Sequence, residues 1–143
     1  LARDNLVRVL AGDAGAPLLA DQVEILAGDL LAPLADDLRG RLDVLVSNPP
    51  YLPASDRDSW QPEVGGHDPD RALVGGPDGH EVVERLLTAA ATWLRPGGLA
   101  VVEIDERRGD DARLAATAAG LVDVRIVPDL TGADRAVTAW RRG

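Results

Sequence analysis

The residues best able to do chemistry stand together at Asn48-Pro49-Pro50-Tyr51, directly after the apolar run Leu42-Asp43-Val44-Leu45-Val46-Ser47. The Asn48 side-chain oxygen and the Pro49 backbone carbonyl are two acceptors able to bracket one planar NH2 group. Proline fixes φ, so Pro49 and Pro50 leave little backbone entropy to lose when the site fills. Tyr51 offers a flat ring against a planar amide or base. The chemistry implied is the alignment of an amino group, and no general base is obvious. Elsewhere, Asp29 follows Gly28 and suits a turn, a helix cap or a ligand contact. Leu30 reads equally well as plain core. Glu103 closes another apolar run and reads as a structural partner for a backbone group or an Arg. His67 and His80 are too few and too loosely placed for a metal centre, and His67 reads as a solvated turn residue.

Elements must position these groups. Leu42 to Ser47 reads as a buried strand whose carboxyl end carries the tetrapeptide, where open α/β sheets place their ligand crevices. Ahead of it, Gln22 to Leu26 alternates enough for a strand closing at Ala27-Gly28-Asp29. Leu30 to Leu38 is ambiguous and holds at most one helical turn. Leu52 to Gly79 is rich in Pro, Gly and Asp with little periodicity, which reads as a long functional loop, mobile without a partner. His80 to Leu94 has helical apolar spacing and is stopped by Arg95-Pro96-Gly97-Gly98. Leu99 to Ile104 reads as a strand, and Asp110 to Ala119 as a helix ended by Gly120. Val122 to Val127 and Ala136 to Trp140 are strands whose connection is too short for a crossover, so they form an antiparallel hairpin. Alternating strands and helices predict a mainly parallel α/β sheet closed by that hairpin.

The chain has 143 residues, enough for one domain with a core. Hydrophobic residues make up 45%, which excludes a disordered chain, and no apolar run is long enough to span a bilayer. Phe and Met are absent, so Leu, Val and Ala must build the core, with Trp60, Trp93 and Trp140 as packing or surface residues. The absence of Cys rules out disulfides and thiolate metal sites and fits a reducing cytoplasm. The formal net charge of −9 argues against nucleic-acid backbone binding and favours a protein or small-molecule partner. The Arg107-Arg108 and Arg141-Arg142 pairs read as solvated surface. Leu1 is not Met, and the amphipathic stretch Leu1 to Leu10 lacks a capping residue, so a fragment beginning inside a helix is expected.

The tetrapeptide at a strand end resembles the amino-group methyltransferases that use S-adenosylmethionine. The stretch from Asp68-Pro69-Asp70-Arg71 through Val74-Gly75-Gly76-Pro77-Asp78-Gly79 narrows the resemblance to the release-factor glutamine methyltransferases, the HemK or PrmC family. Leu94 to Gly98, Val102-Glu103-Ile104, and Asp129-Leu130-Thr131-Gly132 followed by Arg135 add to it, so that nearly the whole chain is covered.

The resemblance implies a Rossmann-like class I methyltransferase fold, with the 143 residues forming one partial catalytic domain. It implies S-adenosylmethionine as cofactor and a peptide-chain release factor as partner, methylated on the glutamine of its Gly-Gly-Gln loop. Asn48, with Pro49, would hold the glutamine NH2; Asn48 would also contact the methyl donor. Pro50 belongs to the same motif, and Tyr51 would line the pocket. Asp29 and Leu30 match the family's adenine-contacting pair. The glycine-rich cofactor loop and the ribose-holding acid of the family have no match here and are placed upstream of Leu1. The chain alone is therefore expected to be inactive and to bind donor weakly. Asp68 replaces the family's Glu conservatively, whereas Asp105 stands where a glycine is expected and threatens a glycine-only backbone position. Two other functions compete: a nucleic-acid adenine or guanine amino-methyltransferase, and a non-catalytic remnant or interaction module.

Overall fold

A computed structural model describes residues 22–55 and 73–143. The chain divides into two compact units, Leu1–Leu34 and Ala35–Gly143. In the second unit the strands β1 (Leu42–Ser47), β2 (Leu94–Glu103), β3 (Leu121–Pro128) and β4 (Asp134–Arg141) form one sheet of order β1-β2-β4-β3. β1 and β2 run parallel, while β4 is antiparallel to both β2 and β3. The sheet is thus mixed, with the expected antiparallel hairpin at its carboxyl-terminal side. Pairing of Leu42 with Leu94 is followed by a register shift, and the regular ladder resumes at Val44 and Leu99. The shift accommodates the Arg95-Pro96-Gly97-Gly98 turn between helix and strand proper, since Pro96 has no N–H to give a ladder.

The connection from β1 to β2 is completed by helix α1 (Glu81–Trp93). Val83, Leu86, Leu87, Ala90 and Trp93 recur at three- and four-residue spacing and are its buried stripe. Glu81 and Glu84 sit in its first turn, where the helix dipole favours negative charge. Helix α2 (Gly109–Ala118) buries Ala112 and Ala116, small residues that let it lie close to β3 and β4. Leu45, Ala100, Val102, Val137 and Ala139 are paired across the ladders and share the buried face of the sheet. Leu87 and Leu94 are fully buried, each contributing roughly 1.5–3 kcal/mol of transfer free energy. The alternate residues of β1 behave oppositely: Val44 is 52% and Val46 72% exposed.

In the first unit, residues 22–34 hold two turns, with Ala32 N–H donating to Asp29 C=O at 3.0 Å and Leu34 N–H to Leu31 C=O at 3.1 Å. Gln22 to Leu26 is not a strand. Alternation alone does not make one, because a strand is defined by a ladder, and among the described residues no partner strand pairs with this segment. The ambiguous stretch before β1 resolves into a single 3-10 turn at Asp36–Leu38. The proposed opening helix, Trp60, His67 and Asp68 lie outside the described residues.

Candidate active site

β1 and β2 are parallel, so both end on the same side of the sheet, and β4 begins there. Ser47 pairs with Val102, and Glu103 with Ala136. This register gathers three segments at one end: the tip at 48–51, the residues after β2, and the β3–β4 connection. Asn48 is exposed, Pro49 is buried, and Pro50 and Tyr51 are half-buried.

The tip is held from behind by its own loop. Leu52 N–H donates to Leu73 C=O at 2.9 Å, Gly75 N–H to Leu52 C=O at 3.0 Å, and Ala54 N–H to Gly76 C=O at 3.0 Å. These bonds make a parallel bridge between Leu52 and Val74. A Cβ on Gly75 would meet the Pro50 carbonyl oxygen at 2.5 Å and Tyr51 Cα at 2.8 Å. On Gly79, at φ +77°, it would meet the Tyr51 carbonyl oxygen at 2.3 Å. Both glycines therefore let backbone lie directly on backbone at Pro50 and Tyr51. The sequence predicts mobility over the whole of Leu52 to Gly79, but its described ends, 52–55 and 73–79, are hydrogen-bonded to one another beside the tip; residues 56–72 lie outside the described residues.

In front of the tip lies a chain of polar contacts. The Tyr51 hydroxyl donates to Glu103 Oε1 at 2.8 Å. Burial raises the Tyr51 pKa above 10.0, helped by the Glu103 carboxylate and opposed by the Arg135 guanidinium. Arg135 donates from Nε at 3.2 Å and Nη2 at 3.0 Å to Asp129 Oδ2. The other Asp129 oxygen accepts from Thr131 N–H at 2.8 Å, Thr131 Oγ1 at 2.6 Å and Ala133 N–H at 3.2 Å. The Thr131 donors first, then Arg135, hold the Asp129 carboxyl well below its usual range. Tyr51, Leu52, Asp105, Glu106, Arg107 and Arg135 line a cavity of about 300 Å3.

Asp29 is exposed, and Leu30 beside it has φ +49°, a left-handed conformation uncommon for a leucine. Non-glycine residues held this way concentrate at functional sites, because their strain of about 1–3 kcal/mol must be compensated by surrounding structure. Asp29 and Leu30 belong to the first unit, whereas Asn48 to Tyr51 belong to the second. Among the described residues no group of His, Cys, Asp or Glu side chains suits a metal ion.

No family model matches the chain. Curated relatives do. The release factor glutamine methyltransferase of Mycobacterium tuberculosis is 45% identical over 111 residues, covering 77% of this chain and 36% of that protein. The protein of the same name from Mycolicibacterium smegmatis is 46% identical over 141 residues, covering 98% of this chain and 44% of the relative. The chain belongs to the release factor glutamine methyltransferase family. It spans less than half the length of these two relatives. Among solved structures, the E. cuniculi Mtq2–Trm112 complex, responsible for methylation of the eRF1 translation termination factor, superposes with a TM-score of 0.55. That match has 23% identity and covers 96% of this chain and 68% of the other, so it is a likeness of fold. The fold is the Rossmann-like α/β architecture of class I methyltransferases.

Within this family the structure corrects several readings of single residues. Asp105, at the expected glycine, has φ −63° and ψ 135°, a conformation open to any residue. It is only 7% exposed and accepts from Arg107 N–H, Nε and Nη2 at 2.8, 2.9 and 2.7 Å. Those bonds from Arg107 hold its carboxyl below the usual 3.8. Arg107 and Arg108 are thus engaged, not merely solvated: Arg108 bonds Asp111 Oδ2 at 2.8 Å and the Asp78 carbonyl at 3.1 Å. Gly75, within the Pro-, Gly- and Asp-rich loop, serves close packing on the tip. The Tyr51–Glu103 bond joins residues 52 positions apart, and spacing in the sequence gave no signal for it. A signal for Arg135 did exist, in the Asp129 to Arg135 motif, though without a role attached.

Proposed function

We propose that this chain carries the amide-binding part of a protein-glutamine methyltransferase whose substrate is the Gly-Gly-Gln glutamine of a peptide-chain release factor. The observation that carries the reading is the exposed Asn48 at the carboxyl end of β1, followed by Pro50 and Tyr51 against which Gly75 and Gly79 close-pack, in a chain 45–46% identical to release factor glutamine methyltransferases. Asn48 Oδ1 and the Pro49 carbonyl accept from the two N–H bonds of the glutamine amide. Pro50 keeps the turn rigid, and the Tyr51 ring lines the pocket.

The family resemblance implies S-adenosylmethionine as methyl donor. In this reading the exposed Asp29 carboxylate would accept from the adenine amine with Leu30 against the base, and Asn48 would contact the donor as well as the acceptor amide. S-adenosylmethionine, when bound, supplies an electrophilic methyl group on a sulfonium. An amide nitrogen is a poor nucleophile, because its lone pair is delocalised into the carbonyl. The work of the chain is therefore to align that nitrogen and to accept its protons as positive charge develops. The 143 residues are read as part of one catalytic domain, since the alignment runs through 98% of them.

The net charge of −9 favours a protein acceptor over the phosphate backbone of a nucleic acid. No helix among the described residues is long and apolar enough to cross a membrane. A release-factor substrate puts the reaction in the cytoplasm. The test is transfer of a labelled methyl group by the protein carrying these residues, offered release factor, RNA and DNA in parallel. Label on the glutamine amide is expected; label on a base amino group instead would overturn the reading. Calorimetry with S-adenosylhomocysteine checks Asp29: Asp29→Ala is expected to weaken binding, and unchanged affinity returns Asp29 to a turn former.

A further inference from the structure

We propose that Glu103 and Arg135, the latter locked by Asp129, are positioning residues that fix the Tyr51 ring at the strand tip and keep its hydroxyl occupied. The inference rests on the amide-binding role proposed for Asn48 to Tyr51 and assigns roles to three residues that role does not include.

The geometry begins in the β2–β4 ladder. Glu103 pairs with Ala136, and Ile104 N–H donates to Arg135 C=O at 3.0 Å. The ladder thereby brings Glu103 and Arg135 to the same end of the sheet, each within reach of Tyr51. The hydroxyl donates to Glu103 at 2.8 Å, and Arg135 interacts with the same side chain. Arg135 does not wander, because both its Nε and Nη2 are bound to one oxygen of Asp129. Asp129 is itself fixed by three donors from Thr131 and Ala133. The turn between β3 and β4 is therefore a bracket built behind one guanidinium, and its reach ends at the tyrosine.

The chemistry explains why such a bracket serves amide methylation. A free tyrosine hydroxyl beside the substrate would donate to the amide oxygen. That bond stabilises the resonance form in which the nitrogen lone pair has moved into the carbonyl, which makes the nitrogen less nucleophilic. With its proton given to Glu103, Tyr51 presents only the ring. A flat, immobile wall helps hold the planar amide in line, and misplacement by an ångström is costly in a reaction that depends on alignment. The cavity shared by Tyr51 and Arg135 leaves space beside that wall for the polypeptide on either side of the glutamine.

Tyr51 is the single tyrosine of the chain, so phenolate absorbance in the 143-residue chain reads this hydroxyl alone. The charged groups around it are Glu103 and Arg135, with Asp105, Glu106 and Arg107 lining the same cavity. Titration is expected to place the midpoint above 10.0, with Glu103→Gln lowering it and Arg135→Ala raising it further. Arg135→Lys, which keeps a cation, is expected to fall between wild type and Arg135→Ala. A midpoint that neither Glu103→Gln nor Arg135→Lys moves would overturn the clamp, whatever the enzyme methylates. In the protein carrying these residues, Arg135→Ala is expected to lower kcat on release factor by about a hundredfold, with S-adenosylhomocysteine affinity unchanged and partial rescue by Arg135→Lys. Unchanged kcat in Arg135→Ala would also overturn it. If release factor proves not to be the acceptor, the titration still reads the clamp, so the two failures are separable.

Discussion

The two ends of the sheet are built on different terms. Where β1 and β2 finish, each polar group serves several neighbours: Asp129 accepts from Thr131, Ala133 and Arg135, and Arg135 in turn meets Tyr51. Backbone there lies on backbone, with no room for a Cβ at Gly75 or Gly79. Where β2 starts and β4 finishes, contacts form small, largely exposed groups: Arg39 meets Asp36 as well as Trp93, and Arg95 meets Asp43 and the Pro96 carbonyl. The Arg39 guanidinium lies 4.3 Å from the centre of the Trp93 ring, and Arg125 lies 5.7 Å from that of Trp140. Arg95 pairs with Asp43 at 2.5 Å between side chains that are half or more exposed. Small, exposed groups can be lost one at a time with nearly additive effect, whereas a linked set fails together. The first end is organised for holding a geometry, the second only for closing a fold.

The sharpest way to break this contrast is Asn48→Ala. It removes an acceptor needed at the reacting NH2 from a strand end already formed, and a rate loss of about a hundredfold or more is expected with the fold intact. Near-normal turnover of release factor would end the assignment of the tip. Gly75→Ala comes next. Its methyl group would be forced against the Pro50 carbonyl and Tyr51, and a loss of about 1–3 kcal/mol in denaturant unfolding is expected, along with weakened turnover. Unchanged stability would show that the loop can withdraw from the tip.

Acid is expected to act on the linked end first. Bonds from Arg107 depress the Asp105 pKa below 3.8, and bonds from Thr131 depress that of Asp129. A depressed carboxylate stabilises the fold fully above its unfolded value, and that contribution is lost as pH falls through the lower folded value. Thermal unfolding followed from neutral pH down past 3.8 should show the loss, and Asp105→Asn should flatten the profile. Equal acid sensitivity in that variant would discount Asp105. The smallest effect belongs to the other end: Arg125→Ala removes one exposed cation–π contact and is expected to cost no more than about 1 kcal/mol, with turnover unchanged. A larger loss in thermal unfolding would mean that this end is linked as well.

Much of the fold was legible because periodicity is a local property. The apolar stripe of α1, the run of β1 and the short β3–β4 connection each carry their own evidence within about ten residues. The segment Gln22 to Leu26 was misread for the complementary reason: pairing is nonlocal, and alternation says nothing about whether a partner is present. At the candidate site the tetrapeptide stood out by composition, but its supports did not. Gly75 gave no sign of its role, because a glycine required by close approach is spelled the same way as one required by φ. Glu103 reads from the sequence as a partner for a backbone group or an Arg, whereas its partner is the Tyr51 hydroxyl, which the β1–β2 register brings to it. Asp105 was suspected of straining the backbone, and its φ of −63° removes that concern.

The alternation along β1 has a consequence for handling the molecule. Leu45 is buried on one face of the sheet, while Val44 and Val46 look outward, paired with Leu99 and Val101 of β2. Among the described residues β1 is an edge strand, and an apolar strip on such a strand invites a second molecule to add to the sheet. Opposing it is the mutual repulsion of chains that each carry a formal charge of −9. That repulsion is a property of the solvent as much as of the protein, because dissolved salt shortens its reach from about 30 Å at 0.01 M to about 10 Å at 0.1 M. Colloidal behaviour should therefore turn on ionic strength: dispersed chains in dilute buffer, and sheet-on-sheet association as the ions close in.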